Sequence, residues 1–112
     1  MHEHFKTAWL NVSREAFNNS KDHGFWENGI ERNRPEMIAL MHSELSEALE
    51  GLRHGNPPDS HCPRYTSVEI ELADTVIRIM DFAYGFGLDV AGALIAKMQF
   101  NQSRPFKHGK TL

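Results

Sequence analysis

The apolar positions of this chain recur with the period of an α-helix, and the alternating apolar and polar runs typical of strands are missing. Four segments carry the helical pattern. They predict helices over about 5–18, 35–53, 66–84 and 89–103, followed by a basic tail over 104–112. Because the links between them are short, the pattern predicts one all-α domain spanning residues 1–112, built as an up-down four-helix bundle.

The third predicted helix is apolar on more than one side. Val68, Leu72 and Val76 fall on one face, and Ile70 and Ile77 fall on a second. Together such positions cover about two-thirds of the helix circumference, which is typical of a helix buried between neighbours. Since a chain this short builds only a small core, we expect a second copy of the chain to cover part of it, in a homodimer or a homotetramer.

Composition narrows the class of protein. The chain has 112 residues, 40% of them apolar, and a formal net charge of −3. This balance argues against a polybasic nucleic-acid binder, and we expect no nucleic-acid partner. No run approaches the roughly 18 consecutive apolar residues of a membrane-spanning helix, so we expect no such helix. With one cysteine, Cys62, and no apolar leader at its start, the chain is expected to be cytoplasmic.

The small net charge conceals a division along the chain. Residues 41–81 hold eight acids and three Lys or Arg residues, a balance of −5. Residues 97–112 hold four Lys or Arg residues and no acid. An acidic centre that binds cations, beside a basic end, is what a polyphosphate ligand requires.

Two acidic pairs are the candidate metal ligands. Glu44 and Glu47 lie three residues apart on the second helix, as do Glu71 and Asp74 on the third. If the two helices form an antiparallel hairpin, the four carboxylates can face each other, and their repulsion would call for a cation. Oxygen ligands alone favour Mg²⁺, with Mn²⁺ as a substitute. The alternative is an acidic face that is simply solvated.

The fourth helix carries the candidate phosphate-binding groups. Lys97, Asn101 and Arg104 recur on one helical face, and Lys110 follows in the tail. They suit the neutralisation of phosphate oxygens. The alternative is a basic tail without fixed structure. Trp26 and Phe25, in the loop before the second helix, are candidates for stacking on a base, with a place capping the core as the alternative.

The order of these motifs resembles the signature of the MazG-like nucleoside triphosphate pyrophosphohydrolases. The resemblance extends from about residue 24 to 110. The common form has two adjacent acids at the start of each motif, and this chain departs from it twice, with a serine at position 43 and with Ile70 between Glu69 and Glu71. It rests on the Gly24-Phe25-Trp26 turn, on Glu44-x-x-Glu47 and Glu71-x-x-Asp74, and on the ending Lys97-Met98-x-x-Asn101-x-x-Arg104-Pro105-x-x-His108-Gly109-Lys110.

The resemblance implies an all-α NTP pyrophosphatase that cleaves an NTP or dNTP to the monophosphate and pyrophosphate with Mg²⁺. It implies that the four acids are metal ligands and that Lys97, Asn101 and Arg104 lie near the phosphates. It also implies a dimer or tetramer with sites shared between subunits. Among the acids we assign catalytic roles to Glu47, as base for the attacking water, and to Glu71.

Three other classes of protein remain as alternatives. One is a nucleic-acid binder that uses the basic tail, although four Lys or Arg residues are few and the acidic half would repel a nucleic-acid backbone. A non-catalytic helical oligomer that serves as a binding or scaffold protein would have the same helical pattern. A di-iron carboxylate bundle also uses acids on facing helices, but it requires Glu-x-x-His motifs, which this sequence does not contain.

Overall fold

The computed structural model describes residues 2–109, and these residues form helices without any strand. The four α-helices are α1 (Glu3–Asp22), α2 (Arg34–Arg53), α3 (Ser67–Phe86) and α4 (Val90–Gln102). Two short 3₁₀ segments are Gly29–Glu31 and Phe106–Gly109. The all-α prediction is confirmed, and the four predicted helices occur in order.

Side-chain hydrogen bonds cap the N-termini of three helices, close to the positions where the sequence predicts that these helices start. The Asn33 side chain accepts from the backbone N–H of Glu36 at 3.0 Å and so begins α2. Thr66 and Glu69 form a reciprocal capping box at the start of α3. Asp89 caps α4 by accepting from the backbone N–H of Gly92 at 2.9 Å.

The first helix is longer than predicted. The sequence indicates a stop at Asn18–Ser20, yet α1 continues to Asp22. Asparagine and serine disfavour a helix interior only weakly, so packing against α3 overrides them. The chain leaves the helix at Gly24, whose φ of +87° is open to glycine and costly for other residues.

Helix α3 is the centre of the fold, and both α1 and α2 pack against it. At one end of α3, Gly51 of α2 lies against Ser67, so closely that an added methyl group would be 2.8 Å from the serine Oγ. At its other end, Phe17 of α1 packs on Tyr84, with ring centroids 5.1 Å apart. Along α1, Trp9 and Ser13 share a surface with Gly87, whereas Asn19 shares one with Asp74, further back on α3. Both neighbours therefore run antiparallel to α3, and they pack on separate sides of it.

Helix α4 departs from the predicted up-down bundle. Its direction differs from that of α3 by 116°, so it crosses the end of the helical layer, where it contacts the first half of α1. The cause is local, because Gly87 ends α3 in a left-handed conformation and Asp89 starts the next helix two residues later. The four-helix bundle is thus a three-helix layer with a fourth helix across its end.

The core of a single chain is thin. Among the described residues no large side chain is fully buried. Several large apolar side chains on α2 and α3 remain exposed, among them Ile38, Leu45, Leu49, Leu52, Leu72 and Val76. The prediction that neighbouring helices bury α3 therefore holds for the sides that α1 and α2 cover, whereas the side that carries Leu72 and Val76 stays exposed in a single chain.

Over the described residues, no individual helix has both the length and the apolar character needed to cross a bilayer. Only α3 and α4 taken together, across their 116° bend, reach that composition.

Candidate metal centre

Three carboxylates from two helices converge where α2 crosses the first half of α3. Glu44, Glu71 and Asp74 each place one carboxylate oxygen so that all three oxygens lie within 4.8 Å of one another. All three residues are half-buried. The antiparallel arrangement of α2 and α3 brings the two acidic pairs together, as the i, i+3 spacing predicts.

The cluster raises the pKa of two of its members. Removal from water, a hydrogen bond with Glu44 and the negative charges of Glu44, Asp74 and Glu47 raise the pKa of Glu71 to about 7. Burial and the Glu44 carboxylate also raise the pKa of Asp74, although Arg78 opposes this. Carboxylates this close cannot all ionise without a compensating charge, so the site favours a bound proton or a cation.

Glu47 lies at the edge of this cluster. It is exposed and is not one of the three residues whose oxygens converge. Its charge nevertheless contributes to the raised pKa of Glu71, which places it next to the site. The structure thus brings three of the four predicted ligands together and leaves the fourth beside them, facing solvent.

The donor set fits Mg²⁺. Ligands on opposite sides of a Mg²⁺ ion, each at about 2.1 Å, are roughly 4.2 Å apart. Oxygens spread over 4.8 Å can therefore reach a common ion after small side-chain rotations. Mn²⁺ accepts the same hard oxygen donors, whereas soft metals require sulfur or imidazole ligands.

Arg78 supplies the nearest positive charge. Its Nη2 lies 3.4 Å from the Glu44 Oε1. The guanidinium also lowers the pKa of Asp74, one helical turn before it on α3. Arg78 follows Asp74 by four residues and so lies on the same face of α3, and its contact with Glu44 joins α3 to α2 beside the cluster.

A cleft of about 410 Å³ opens beside the carboxylates, between the second half of α1, α2 and α3. Glu44 and Asp74 line one part of it, and Phe25 and Arg32 line another. Its volume lies in the range of small-molecule pockets. The carboxylate cluster is thus open to a ligand rather than sealed in the helix contact.

The predicted phosphate-binding residues of α4 lie elsewhere on the chain. Helix α4 lies along the start of α1, near Phe5, whereas the carboxylates face Ala16 and Asn19 near its end. At 1.5 Å per residue, Phe5 and Asn19 are about 20 Å apart along α1. Lys97, Asn101 and Arg104 therefore do not meet the carboxylates of their own chain. Lys110 lies outside the described residues.

Trp26 lies in the core. Only 9% of it is exposed, and its ring packs over Gly85, at a distance that leaves no room for a side chain there. The indole N–H donates a 2.7 Å hydrogen bond to Asp81. Its role in holding a base stays a prediction, and its packing is that of a core residue.

Sequence reasoning missed the connection among Asp81, Arg32 and Trp26. Arg32 lies 3.4 Å from Asp81 and places its guanidinium 4.9 Å from the centre of the Trp26 ring. Asp81 is seven residues after Asp74, so on a helical projection it belongs to the acidic stripe. What distinguishes Asp81 from the other acids of the stripe is its nearly complete burial. The sequence carries no sign of that burial, because it results from the packing of the loop over 23–33.

No protein-family model, curated protein or solved structure matches this chain.

Proposed function

We propose that this protein is a Mg²⁺-dependent nucleoside triphosphate pyrophosphohydrolase of the MazG-like type, which converts an NTP or dNTP to the monophosphate and pyrophosphate. The observation that carries the proposal is the convergence of Glu44, Glu71 and Asp74 beside an open cleft that Glu44 and Asp74 line. The order of acidic and basic motifs along the sequence supports the same activity.

In this mechanism Glu44, Glu71 and Asp74 hold the cation, and Arg78 keeps Glu44 directed toward it. Bound Mg²⁺ would supply a Lewis acid that offsets the charge of the phosphates and lowers the pKa of nearby water. Glu47, exposed beside the cluster, accepts a proton from the water that attacks the α-phosphorus. The bond from the α-phosphorus to the bridging oxygen breaks, and pyrophosphate leaves.

We also propose that the active form is a homo-oligomer in which Lys97, Asn101 and Arg104 of one chain bind the phosphates in the site of another. Two observations support this. These residues lie far from the carboxylates of their own chain, and the exposed leucines of α2 leave an apolar surface uncovered. Contiguous exposed apolar surface marks sites of protein contact.

The activity is tested with purified protein, Mg²⁺ and a panel of NTPs and dNTPs, with measurement of released monophosphate and pyrophosphate. We expect turnover of at least one nucleotide and its loss in Glu44→Gln and Asp74→Asn. Glu50→Gln is the matched control, because Glu50 lies on α2 but pairs with Arg53 at 2.9 Å, outside the cluster. Absence of pyrophosphate from every nucleotide would refute the proposal.

The competing proposal is a non-catalytic helical oligomer that binds a partner. Its discriminating test is thermal stability with and without Mg²⁺. A carboxylate cluster that binds the ion stabilises the folded state, whereas an acidic face with no binding role gains little.

A further inference from the structure

An exposed phenylalanine, Phe25, lies at the cleft beside the paired side chains of Arg32 and Trp26, which together form its support. Phe25 is 62% exposed, although the next residue in the chain, Trp26, is buried. The Arg32 guanidinium lies 5.7 Å from the centre of the Phe25 ring and 4.9 Å from that of Trp26. Both distances suit cation–π contacts, so the guanidinium connects the exposed ring to a buried one.

The support is anchored on α3 through Asp81. This carboxylate is nearly fully buried, accepts the indole N–H of Trp26 at 2.7 Å and lies 3.4 Å from Arg32. The Arg32 side chain is itself only 15% exposed. Burial of two charged groups is costly unless they are paired and hydrogen-bonded, and here each has a partner. The pairing therefore fixes the position of the guanidinium.

The backbone of Phe25 is held from the other side, by α1. Its N–H donates to the carbonyl of Ser20 at 3.1 Å, across the turn that Gly24 makes possible. Trp26, the next residue, packs between Phe17 and Phe86, with ring centroids 5.2 Å from each. Phe25 is thus an exposed ring on a backbone that is fixed at both sides.

The ring and the carboxylate cluster open into one space. Phe25 and Arg32 line the same 410 Å³ cleft as Glu44 and Asp74, and Ile77 adds an apolar surface between the helices. A ligand with an anionic end at the carboxylates, through a cation, and a flat apolar end at Phe25 matches this arrangement. A nucleoside triphosphate has both ends.

We propose that Phe25 is the surface on which the nucleobase stacks, with Arg32, Trp26 and Asp81 as positioning residues behind it. The inference rests on the proposed function and adds the part of the site that binds the base. Stacking on one aromatic ring tolerates any base, so the ring contributes affinity rather than choice among bases. Trp26 then holds the platform in place instead of contacting the base.

The test compares ligands with and without a base. Wild-type protein, Phe25→Ala and Phe25→Trp are titrated calorimetrically, with Mg²⁺ present, with the α,β-methylene analogues of ATP, GTP, CTP and UTP and with inorganic tripolyphosphate. We expect Phe25→Ala to weaken the tightest-binding nucleotide about 10- to 100-fold while the affinity for tripolyphosphate stays unchanged. Phe25→Trp, which keeps a stacking surface, should stay within a few-fold of wild type.

Tyr65→Ala is the matched control, because Tyr65 is an exposed aromatic residue outside the cleft. Equal nucleotide affinity in Phe25→Ala and wild type would overturn the stacking role alone. So would an equal loss of nucleotide and tripolyphosphate affinity, which would mean a general disturbance of the site. If the wild type bound neither ligand, the proposed function itself would fail.

The positioning role has its own readout, in steady-state kinetics on the turned-over nucleotide. Asp81→Asn removes the charge that holds Arg32 but keeps an oxygen for the indole N–H. We expect a KM raised several-fold with little change in kcat, because the carboxylate cluster is intact. A fall in kcat with unchanged KM would contradict it.

Discussion

The carboxylate oxygens of Glu44 and Glu71 lie within 4.8 Å of each other across the contact of α2 with α3. Burial, and after it the hydrogen bond and charge of the nearby Glu44, raise the pKa of Glu71 to about 7. The repulsion between the two carboxylates can be reduced in two ways, by a bound proton at low pH or by a bound cation at higher pH.

Without divalent metal, the stability that Glu71 contributes should fall as pH rises. Its pKa is about 7 in the folded protein against 4.5 ordinarily, so the folded state holds the proton more tightly. The contribution is therefore complete below about pH 4.5 and is lost as pH rises through 7. Urea unfolding in EDTA, compared between wild type and Glu71→Gln from pH 4.5 to 8, measures it. A difference that stays constant over this range would contradict the prediction.

With Mg²⁺, the dependence on pH should reverse, because the ion requires ionised carboxylates. We expect Mg²⁺ to raise the midpoint of thermal unfolding at pH 8 and to have little effect at pH 5. At a concentration 100-fold above its dissociation constant, the ion would add about 2.7 kcal/mol. Glu44→Gln should abolish the effect and Glu50→Gln should keep it. Equal stabilisation of both variants would place the ion elsewhere.

The sequence predicts the helices and the acidic centre because both depend on short-range spacing. The i, i+3 pairs place Glu44 and Glu71 on facing sides once α2 and α3 are antiparallel. The direction of α4 could not be predicted in the same way, because it depends on the left-handed turn at Gly87 rather than on periodicity. The burial of Asp81 likewise depends on a loop that carries no periodic signal.

The hydrogen bond from Trp26 to Asp81 should be measurable in stability. Trp26→Phe keeps most of the ring but removes the N–H, which leaves the buried carboxylate with one partner fewer. Loss of a buried partner costs about 1–3 kcal/mol, so we expect destabilisation in that range in urea unfolding. Trp9→Phe is the control, since Trp9 is half-buried and stacks on Phe5. An equal effect of both substitutions would assign the cost to ring size alone.

Ser13 should be a site where loss of a polar group stabilises the protein. It is 3% exposed, and its hydroxyl has no hydrogen-bond partner among the described residues. An unsatisfied buried hydroxyl costs about 1–3 kcal/mol, and alanine is also the better helix former. We therefore expect Ser13→Ala to raise the free energy of unfolding by about 1 kcal/mol. Destabilisation would show that the hydroxyl has a partner in solution, such as water or a second chain.

The exposed leucines of α2 provide the test of the oligomer. Leu45, Leu49 and Leu52 lie on one stripe of the helix and remain largely exposed in a single chain. A lysine in place of Leu49 would put a charge into any contact that covers this stripe, and burying an unpaired charge is costly. We expect Leu49→Lys to shift the protein toward the monomer in light scattering, while Ser46→Lys, exposed on the same helix, leaves assembly unchanged.

The Leu49→Lys variant also distinguishes an active site built from two chains from one built within a single chain. The three carboxylates belong to one chain, so the Leu49→Lys monomer should still be stabilised by Mg²⁺. In the proposed oligomer the phosphate-binding residues Lys97 and Arg104 come from the neighbouring chain, so the monomer should lose most of its turnover. A fully active monomer would show that each chain builds its site alone, and α4 would then have to move from its place beside the start of α1.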